Sequence, residues 1–572
     1  MKRTIRDDLV IVLAGEAGQG LQSIEGILAQ IVKRSGFHYL SLSEFMSRVR
    51  GGSNSTAIRI SSRSATGVPR RIDILIPLHQ EAIPRLRTRI SADTIVIGEK
   101  EKIGYPGMID VPFAKIAAES GNAVFANTVA AGVIGGMLQA DEEAAAAFIR
   151  SHFARKSQEI RAGNLEALRR GYAAGKGLAG IDIRLEKCAE VKNDLLLSGS
   201  EAIALGALAG GCDYVCGYPM SPSTGVLEQM AALSKSFAMI VEQVEDEVGV
   251  INMALGAWYA GARALVTTSG GGLALMSEGI SLCGMIESPL VVHLAQRPGP
   301  ATGLPTRSEQ GDLDLVLHAG HGDFPRIILA PGTLAQGFDL TRRAFDLAAK
   351  YQVPVFILTD QFFVDSRGNT PAFALAEDAA GKHIMETGRD YRRFALTTSG
   401  ISPRGVPGFG SGLVRVDSDE HDESGFISED LDLRTRMVDK RLKKLAAIGA
   451  DVIPPTLVGA ADYRTLVVCW GSTLNTVVEA VAGLGRNDVA VLHFSWIYPL
   501  PEKAGGFLAR ADNLVALESN SSAQMARLIR RETGHTCAHT ILKYNGLPFS
   551  VEEVREGLRK CVADGGRNGK QL

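Results

Sequence analysis

The 572-residue chain lacks the features that mark several classes of protein. Its seven cysteines are scattered, and only Cys212 and Cys216 lie near each other. An iron–sulfur cluster normally needs four cysteine thiolates at tight spacings. We therefore expect no cluster in this chain, only reduced thiols packed as small hydrophobic groups.

The chain also lacks an excess of charge and a long hydrophobic run. Its 61 Lys and Arg nearly balance 63 Asp and Glu, so no basic field attracts nucleic acid or an anionic membrane. The apolar run Leu9–Ala14 is too short for the core of a signal peptide. The stretch Met253–Val266 contains Arg263 and is shorter than the roughly 18–20 residues that a spanning helix needs. We expect a cytoplasmic protein that binds neither nucleic acid nor a membrane.

What the chain does contain is enough apolar material for several α/β domains. Hydrophobic residues make up 45% of the chain, and one domain usually holds roughly 100–200 residues. The first block predicts a strand at Leu9–Ala14, a glycine turn and a helix. One long Ala-rich helix is expected from Val129 to about Gly163. Further strands are expected at Thr56–Ile60, Ile72–Ile76 and Thr94–Ile97.

A second block, from about Leu195 to Asp360, alternates short apolar strands with helices. Continuous apolar strands between helices favour a parallel sheet that is covered on both faces, as in doubly wound α/β domains. The predicted strands are Asp213–Gly217, Ala238–Val241, Ala264–Thr267, Leu290–Leu294, Arg326–Leu329 and Val355–Thr359. The predicted helices include Glu245–Tyr259 and Leu334–Lys350.

The periodicity disappears from about Thr370 to Pro455. This segment contains the Gly-, Pro- and Ser-rich run Gly400–Gly412 and closes with a basic helix at Arg434–Leu445. A connection of this length is usually functional or forms an interface. From Thr465 the alternation resumes, and we expect a third, smaller α/β domain.

Gly15, Gly18 and Gly20 lie between the first strand and the first helix. Such a turn either presents backbone N–H groups to a phosphate or is simply a tight turn, and both interpretations stay open. The spacing is not that of the dinucleotide fingerprint. Arg48 and Arg50 add two guanidinium groups, which favours a polyanionic ligand or a subunit contact.

The segment Tyr218–Thr224 follows a predicted strand, at the edge where open α/β sheets bind ligands. Ser221, Ser223 and Thr224 supply three hydroxyl groups there. These hydroxyls either cap the following helix or bind a ligand, and the two roles can coexist.

Four acidic residues, Glu242, Glu245, Asp246 and Glu247, precede the apolar positions of the next helix. Most of them fit a solvated first turn that the helix dipole favours. At least one carboxylate should face the apolar side, where burial raises a carboxyl pKa and permits proton exchange.

Two more loops follow neighbouring predicted strands. Thr267–Gly272 is rich in hydroxyls and glycine, and Arg297–Thr306 combines an arginine with Pro, Gly and Thr. Three strand ends are therefore expected to converge at one edge of the sheet.

Together these motifs resemble the α subunit of 2-oxoacid:ferredoxin oxidoreductases, notably the 2-oxoglutarate type. The resemblance covers nearly the whole chain and is carried by Gly199–Ala202, Tyr218–Thr224, Glu245–Ala257, Arg297–Leu313, His421–Lys443 and Cys469–Pro501. It implies an α/β fold with three α/β domains. These are a γ-type domain at 1–185, a thiamine pyrimidine-binding domain with a doubly wound parallel sheet at 195–370 and a transketolase C-terminal-like domain at 460–572. A linker or interface segment at 371–455 joins the last two domains.

The resemblance also implies roles for individual residues. Glu247 would sit against N1′ of the thiamine aminopyrimidine and stabilise the imino tautomer that takes a proton from the thiazolium. The implied substrate-binding residues are Ser221, Arg297, Thr306 and Tyr218. The implied cofactor contacts, besides Glu247, are Pro219, Pro222, Ser269 and Gly270. The chain departs from the family pattern at Met220, Ser221, Thr224, Gly225 and Ser200, where the family has isoleucine, threonine, serine, an acidic residue and asparagine.

Thiamine enzymes hold the diphosphate through a metal bound by a G-D-G…N motif, which this sequence does not contain. The resemblance therefore implies a β subunit that carries the Mg²⁺–diphosphate site and a [4Fe–4S] cluster, an (αβ)₂ assembly, and no metal site in this chain. Ferredoxin would be reached through the complex. The γ-type domain would contribute to coenzyme A binding, with Gly15, Gly18, Gly20, Arg48 and Arg50 as the candidate residues.

The implied reaction converts a 2-oxoacid, coenzyme A and oxidised ferredoxin to an acyl-CoA, CO₂ and reduced ferredoxin. 2-Oxoglutarate is the leading substrate, followed by pyruvate, branched-chain and aryl 2-oxoacids. Two alternatives lie outside this family: an NAD-type Rossmann oxidoreductase centred on the glycine turn, and a non-catalytic scaffold.

Overall fold

The chain forms two compact units, each with its own sheets and helices. The first comprises Met1–Ser198 with Ser366–Ala372, and the second comprises Gly199–Asp365 with Phe373–Leu572. The predicted α/β class is confirmed. The computed structural model describes residues 3–16, 18–46, 52–64, 67–375, 381 and 383–563.

The chain up to residue 198 contains nine strands and seven α-helices within the described residues. The strands are β1 (Arg3–Arg6), β2 (Asp8–Glu16), β3 (His38–Glu44), β4 (Ser53–Ser61), β5 (Ile74–Pro77), β6 (Ile95–Gly98), β7 (Ile109–Asp110), β8 (Ile181–Arg184) and β9 (Leu195–Ser198). The helices are α1 (Leu21–Arg34), α2 (Ala82–Leu86), α3 (Lys100–Ile103), α4 (Phe113–Glu119), α5 (Ala126–Met137), α6 (Glu142–His152) and α7 (Gln158–Lys176).

The chain from residue 199 onward continues the alternation of strand and helix. Its strands are β10 (Tyr214–Gly217), β11 (Ile240–Gln243), β12 (Ala264–Thr268), β13 (Leu290–Gln296), β14 (Ile327–Leu329), β15 (Pro354–Asp360), β16 (Arg367–Thr370), β17 (Thr456–Gly459), β18 (Thr465–Trp470), β19 (Val489–Phe494), β20 (Trp496–Tyr498), β21 (Asn513–Glu518) and β22 (His539–Leu542). Its helices are α8 (Gly199–Ala209), α9 (Thr224–Leu233), α10 (Glu247–Tyr259), α11 (Gly270–Leu275), α12 (Ser277–Met285), α13 (Leu313–His318), α14 (Leu334–Tyr351), α15 (Gln361–Asp365), α16 (Leu431–Ile448), α17 (Leu474–Ala482), α18 (Ala504–Ala509), α19 (Gln524–Thr533) and α20 (Val551–Ala563).

The first unit is built on an eight-stranded mixed sheet in the order β7-β6-β5-β2-β4-β3-β16-β9. β2 is parallel to β5 but antiparallel to β4, its other neighbour. The last two strands, β16 and β9, pair antiparallel with each other, although about 170 residues separate them in the chain. The predicted domain limits at 195 and 370 fall at these two strands and stay predictions.

The expected long helix from Val129 to about Gly163 is wrong, because the chain forms α5, α6 and α7 there instead. Gln139 adopts a positive φ of 48° and ends the first helical run. The side chains of Asp141 and Ser157 then accept hydrogen bonds from the first turns of α6 and α7. Helix caps of this kind override the high helix propensity of the alanines between them.

The second unit contains a seven-stranded sheet in the order β11-β10-β12-β13-β15-β14-β20. Its first six strands are parallel, as predicted, and β20 pairs antiparallel with β14. A five-stranded sheet, β17-β19-β18-β21-β22, lies in the same unit, and only its β17–β19 pair is antiparallel. Side chains from both sheets share one hydrophobic core, which includes Val266, Leu466 and Trp496.

The segment that precedes β17 is long and mostly irregular, as its sequence predicts. Within the described residues from 383 to 430, the regular pairings are two single bridges, Thr387–Gly410 and His421–Ile427. The basic helix α16 follows, but two of its lysines, Lys440 and Lys444, are each only 1% exposed. This helix is therefore anchored in the second unit by buried charges.

Two further findings concern the described part of the chain. No helix there has the length and the apolar character that crossing a membrane requires. No group of three or more His, Cys, Asp or Glu side chains in those residues is placed to hold a metal ion.

Candidate functional site

Three loops meet at one edge of the seven-stranded sheet. They follow β10, β12 and β13, which are adjacent parallel strands, so their carboxyl ends lie side by side. The convergence that the sequence predicts is therefore confirmed. This edge is where parallel α/β sheets usually bind their ligands.

The first loop leads from β10 into α9. Tyr218 is 40% exposed, Ser221 is exposed, Pro219 is half-buried and Pro222 is buried. The hydroxyl of Ser223 donates to the carbonyl oxygen of Met220 at 2.7 Å and does not cap α9. The capping interpretation is thus wrong for this serine, and the hydroxyl of Ser221 stands at the surface of the site.

The third loop contributes Arg297, which links it to the first loop. Its Nη1 donates a hydrogen bond to the carbonyl oxygen of Ser221 at 2.6 Å. Burial lowers the pKa of Arg297, and its Nε is buried with no hydrogen-bond partner among the described residues. Thr306 is half-buried further along the same loop. The guanidinium therefore keeps donor capacity for a ligand.

Glu247 is the buried member of the acidic run, as expected for one of these carboxylates. It is 4% exposed, whereas Glu242, Glu245 and Asp246 are exposed. Asp246 caps α10 by accepting a hydrogen bond from the backbone N–H of Gly249 at 2.7 Å. This cap turns the side chain of the next residue inward. Glu247 Oε1 has no hydrogen-bond partner within the described part of the chain.

The second connection is short: Ser269 alone joins β12 to α11, and Gly270, Gly271 and Gly272 form the first turn of that helix. Ser269 is fully buried, and its hydroxyl has no partner in the residues that the structure describes. A Cβ added at Gly272 would lie 2.9 Å from Glu247 Oε1. A Cβ at Gly271 would lie 4.0 Å from Met220 Sδ. The absence of a side chain at Gly272 therefore lets the Glu247 carboxylate pack against the first turn of α11.

Sequence reasoning missed Asp312 as a site residue. A Cβ on Gly270 would come within 2.6 Å of Asp312 Cγ, so this carboxyl group packs directly on the glycine turn. Burial raises the pKa of Asp312 to about 7; Glu309 adds to the rise and Arg297 opposes it. Asp312 belongs to a motif quoted above, but no sequence rule distinguishes it from the half-buried Glu309.

The predicted phosphate candidates lie in the first unit. Gly18 and Gly20 adopt φ values of 89° and 78°, which favour glycine, and Gly15 is the last but one residue of β2. The side chain of Gln19 accepts a hydrogen bond from the backbone N–H of Glu16 at 2.8 Å, so the turn is braced from within. Arg48 and Arg50 lie outside the described residues.

The residues at the sheet edge fit the aminopyrimidine of thiamine diphosphate. That ring carries a nitrogen, N1′, for which a buried carboxylate is the natural hydrogen-bond partner. Glu247 presents such a carboxylate with one unsatisfied oxygen. Buried polar atoms are normally paired, so an unpaired one beside an open loop indicates a ligand position.

Comparisons with known proteins agree with this geometry. The family described as pyruvate flavodoxin/ferredoxin oxidoreductase, thiamine diphosphate-binding, matches residues 205–440, and pyruvate ferredoxin/flavodoxin oxidoreductase matches residues 10–174. The fold and site thus define an oxidoreductase subunit with a thiamine diphosphate-binding domain.

Individual relatives identify the family within this class more specifically. The chain is 29% identical to a 2-oxoacid:ferredoxin oxidoreductase subunit alpha from Sulfolobus sp, over 97% of both chains. It is 30% identical to the 2-oxoglutarate oxidoreductase subunit KorA of Mycobacterium tuberculosis, over 76% of this chain and 68% of the relative. A solved 2-oxoglutarate:ferredoxin oxidoreductase from Magnetococcus marinus, with 2-oxoglutarate, coenzyme A and succinyl-CoA bound, superposes with a TM-score of 0.90 at 29% identity, covering 97% of this chain and 100% of that chain.

The chain belongs to the family of 2-oxoacid:ferredoxin oxidoreductase α subunits, with a γ-type domain fused at its N-terminal side. The NAD-type and scaffold alternatives lose their support. The topology agrees, because antiparallel β4 lies beside β2 where a dinucleotide-binding fold has a parallel strand.

Proposed function

We propose that this chain is the α subunit, with its fused γ-type domain, of an enzyme that converts 2-oxoglutarate, coenzyme A and oxidised ferredoxin to succinyl-CoA, CO₂ and reduced ferredoxin. The substrate is supported by the M. tuberculosis relative, which is named for 2-oxoglutarate, and by the ligands of the M. marinus enzyme. Pyruvate, branched-chain and aryl 2-oxoacids are the alternatives within the family.

The observation that carries the proposal is the buried, unpaired Oε1 of Glu247. Thiamine diphosphate, when bound, supplies an electron sink for decarboxylation that amino-acid side chains do not possess. Glu247 would hold a proton between its carboxylate and N1′ of the aminopyrimidine. Pro219, Pro222, Ser269 and Gly270 would form the wall against which the cofactor rests.

The substrate end of the site would be formed by residues of the first and third loops. Arg297 would bind the carboxylate of the 2-oxoacid, because its planar fork donates parallel hydrogen bonds to two carboxylate oxygens. Ser221, Thr306 and Tyr218 would contact the carbonyl and the remaining part of the substrate. The carbonyl oxygen of Ser221 orients the arginine through the 2.6 Å hydrogen bond.

The site needs a partner chain. A β subunit would supply Mg²⁺, the diphosphate site and a [4Fe–4S] cluster, and would pass electrons to ferredoxin in an (αβ)₂ assembly. Apolar side chains exposed in the second unit support a partner surface: Met253 is 41% exposed, Leu275 57% and Leu304 49%. We propose that the γ-type domain contributes to coenzyme A binding, and the candidate residues are Gly15, Gly18, Gly20, Arg48 and Arg50. We also propose that the protein is cytoplasmic.

Substitution of Glu247 tests this function. In the complex reconstituted with the β subunit, E247Q should lower 2-oxoglutarate-dependent dye reduction by at least about 100-fold, since proton transfer by a positioned side chain contributes that much. The exposed neighbour Glu245 provides the matched control, and E245Q should keep wild-type activity. Full activity of E247Q would contradict the proposal. A panel of 2-oxoacids on the wild-type complex ranks the substrates.

A further inference from the structure

Asp312 is a half-buried residue that the proposed chemistry leaves without a role. Its Oδ2 is buried and has no hydrogen-bond partner in the described structure. Its backbone N–H donates to Gln296 Oε1 at 3.0 Å, and Gln296 Nε2 donates to the carbonyl oxygen of Thr359 at 3.0 Å. The residue is thus tethered to β13 and β15 while one carboxyl oxygen stays unsatisfied.

Two charged groups among the described residues act on this carboxyl group. Glu309 repels its ionised form, and Arg297 attracts it. Arg297 directly follows Gln296, whose side chain accepts the hydrogen bond from the Asp312 backbone N–H, so both residues lie at the same end of β13. No ion pair joins Arg297 to Asp312 within the described structure, although Arg297 opposes the rise in the pKa of Asp312. Burial without a close counter-ion makes ionisation costly, which agrees with the pKa of about 7 for Asp312.

We propose that Asp312 is a positioning residue that acts through Arg297: ionised, it offsets the charge of the guanidinium, and protonated, it leaves that charge to the carboxylate of a 2-oxoacid. The inference rests on the proposed function, because it takes Arg297 as the group that binds the substrate carboxylate. Asp312 also packs on Gly270, so the same carboxyl group supports the turn that faces Glu247.

The expected consequence is proton uptake when the substrate binds. A substrate carboxylate beside Arg297 adds negative charge near Asp312 and favours its protonated form. Raising the pH ionises Asp312 and must therefore weaken substrate binding. The KM for 2-oxoglutarate should rise about fivefold from about pH 6 to about pH 8.5, which corresponds to a change of less than one pKa unit on binding.

The test compares the wild-type αβ complex with its D312N variant. D312N should show a KM that varies less than about twofold over the same range, with kcat changed less than KM. Calorimetric titration with glutarate, a non-reacting dicarboxylate, in buffers of different ionisation enthalpy should show net proton uptake in the wild type and none in D312N. A variant of a purely structural residue would not remove proton uptake.

Two further variants complete the design. D314N, two residues away and paired with Arg527 at 2.6 Å, should keep the wild-type pH dependence. E309Q should move the midpoint of the KM profile to lower pH, because it removes a negative neighbour of Asp312. An unchanged midpoint in E309Q overturns the inference even where D312N fails to assemble. A wild-type complex with no 2-oxoacid-dependent activity instead refutes the proposed function, whereas an active D312N with the wild-type profile refutes only the role of Asp312.

Discussion

Two buried glutamates of the second unit are held in opposite ways. Glu287 is 1% exposed and contacts Lys440 Nζ and Lys444 Nζ, each at 2.6 Å. Burial alone would raise the pKa of Glu287, but Lys444, Lys440 and Arg393 outweigh burial and hold that pKa well below its usual range. Glu247 is 4% exposed and has an oxygen with no partner among the described residues.

The difference separates a structural carboxylate from a functional one. A buried carboxylate with an ion pair at each oxygen locks its surroundings, and here Glu287 fastens α16 to the turn after α12. A buried carboxylate with a free oxygen costs stability unless a ligand supplies the missing partner. The two residues are similarly buried, and the two ion pairs of Glu287 are what distinguishes them.

The largest expected effect on stability is at Glu287, the structural carboxylate of this comparison. E287Q removes the counter-charge of two buried lysines and should lower the free energy of unfolding by about 3–5 kcal/mol. E247Q is the matched substitution and should change that free energy by less than about 1 kcal/mol. Chemical denaturation of both variants measures the difference. Equal losses of unfolding free energy in E287Q and E247Q would show that the two glutamates do not differ in their structural role.

Lowering the pH should also show how much the ion pairs of Glu287 stabilise the protein. Because the pKa of Glu287 is depressed in the folded state, its stabilisation is present above the unfolded pKa of about 4.3 and is lost as the pH falls through the folded value. The wild type should therefore lose more unfolding free energy than E287Q when the pH drops below about 4.

Two arginines extend the comparison. Arg393 is buried and donates to Gln352 Oε1 and to the carbonyl oxygens of Ile286 and Glu287, whereas Arg297 keeps a buried Nε without a partner in the described residues. R297A should raise the KM for 2-oxoglutarate about 10- to 100-fold, because a charged hydrogen bond contributes about 1.5–3 kcal/mol. Steady-state kinetics on the αβ complex checks this. An unchanged KM for every 2-oxoacid would exclude Arg297 from the substrate site.

The smallest effect is expected at Ser221, which stands where the family usually has threonine. Ser221 is exposed, so S221T should change the unfolding free energy by no more than about 0.5 kcal/mol. The added methyl group should alter the preference between 2-oxoglutarate and pyruvate by less than about tenfold. The buried Ser223 provides the contrast: S223T should cost about 1–3 kcal/mol through overpacking. A larger switch of substrate in S221T would make this position a main determinant of specificity.

The helices and strands predicted from the sequence were most accurate where several local signals agree. The continuous apolar strand expected at Leu290–Leu294 is β13, and the basic helix expected at Arg434–Leu445 is α16 with a few more residues at each end. The expectation failed between Val129 and Gly163, because the prediction followed the helix propensity of the alanines and did not use two capping signals, Asp141 and Ser157. Propensity is a weak guide when caps compete with it.

Other features depend on contacts between distant residues and left no local signal. Lys440 and Lys444 look like the solvated face of a charged helix, yet Glu287, about 150 residues earlier, keeps both buried. Asp312 stands three residues from Glu309, and only packing on Gly270 distinguishes the two. For the site, the sequence predicted the three loops and one buried carboxylate, but not which acidic groups would lie behind them.

The pairing of β9 with β16 has a consequence for how such a subunit can be divided into two polypeptides. A break near residue 190 would leave both strands on the C-terminal fragment, as a two-stranded ribbon of marginal stability. The N-terminal fragment would then end its sheet at β3, whose backbone groups normally pair with β16. Separately made fragments would therefore re-associate by strand complementation, and the break itself would create the surface through which the two products recognise each other.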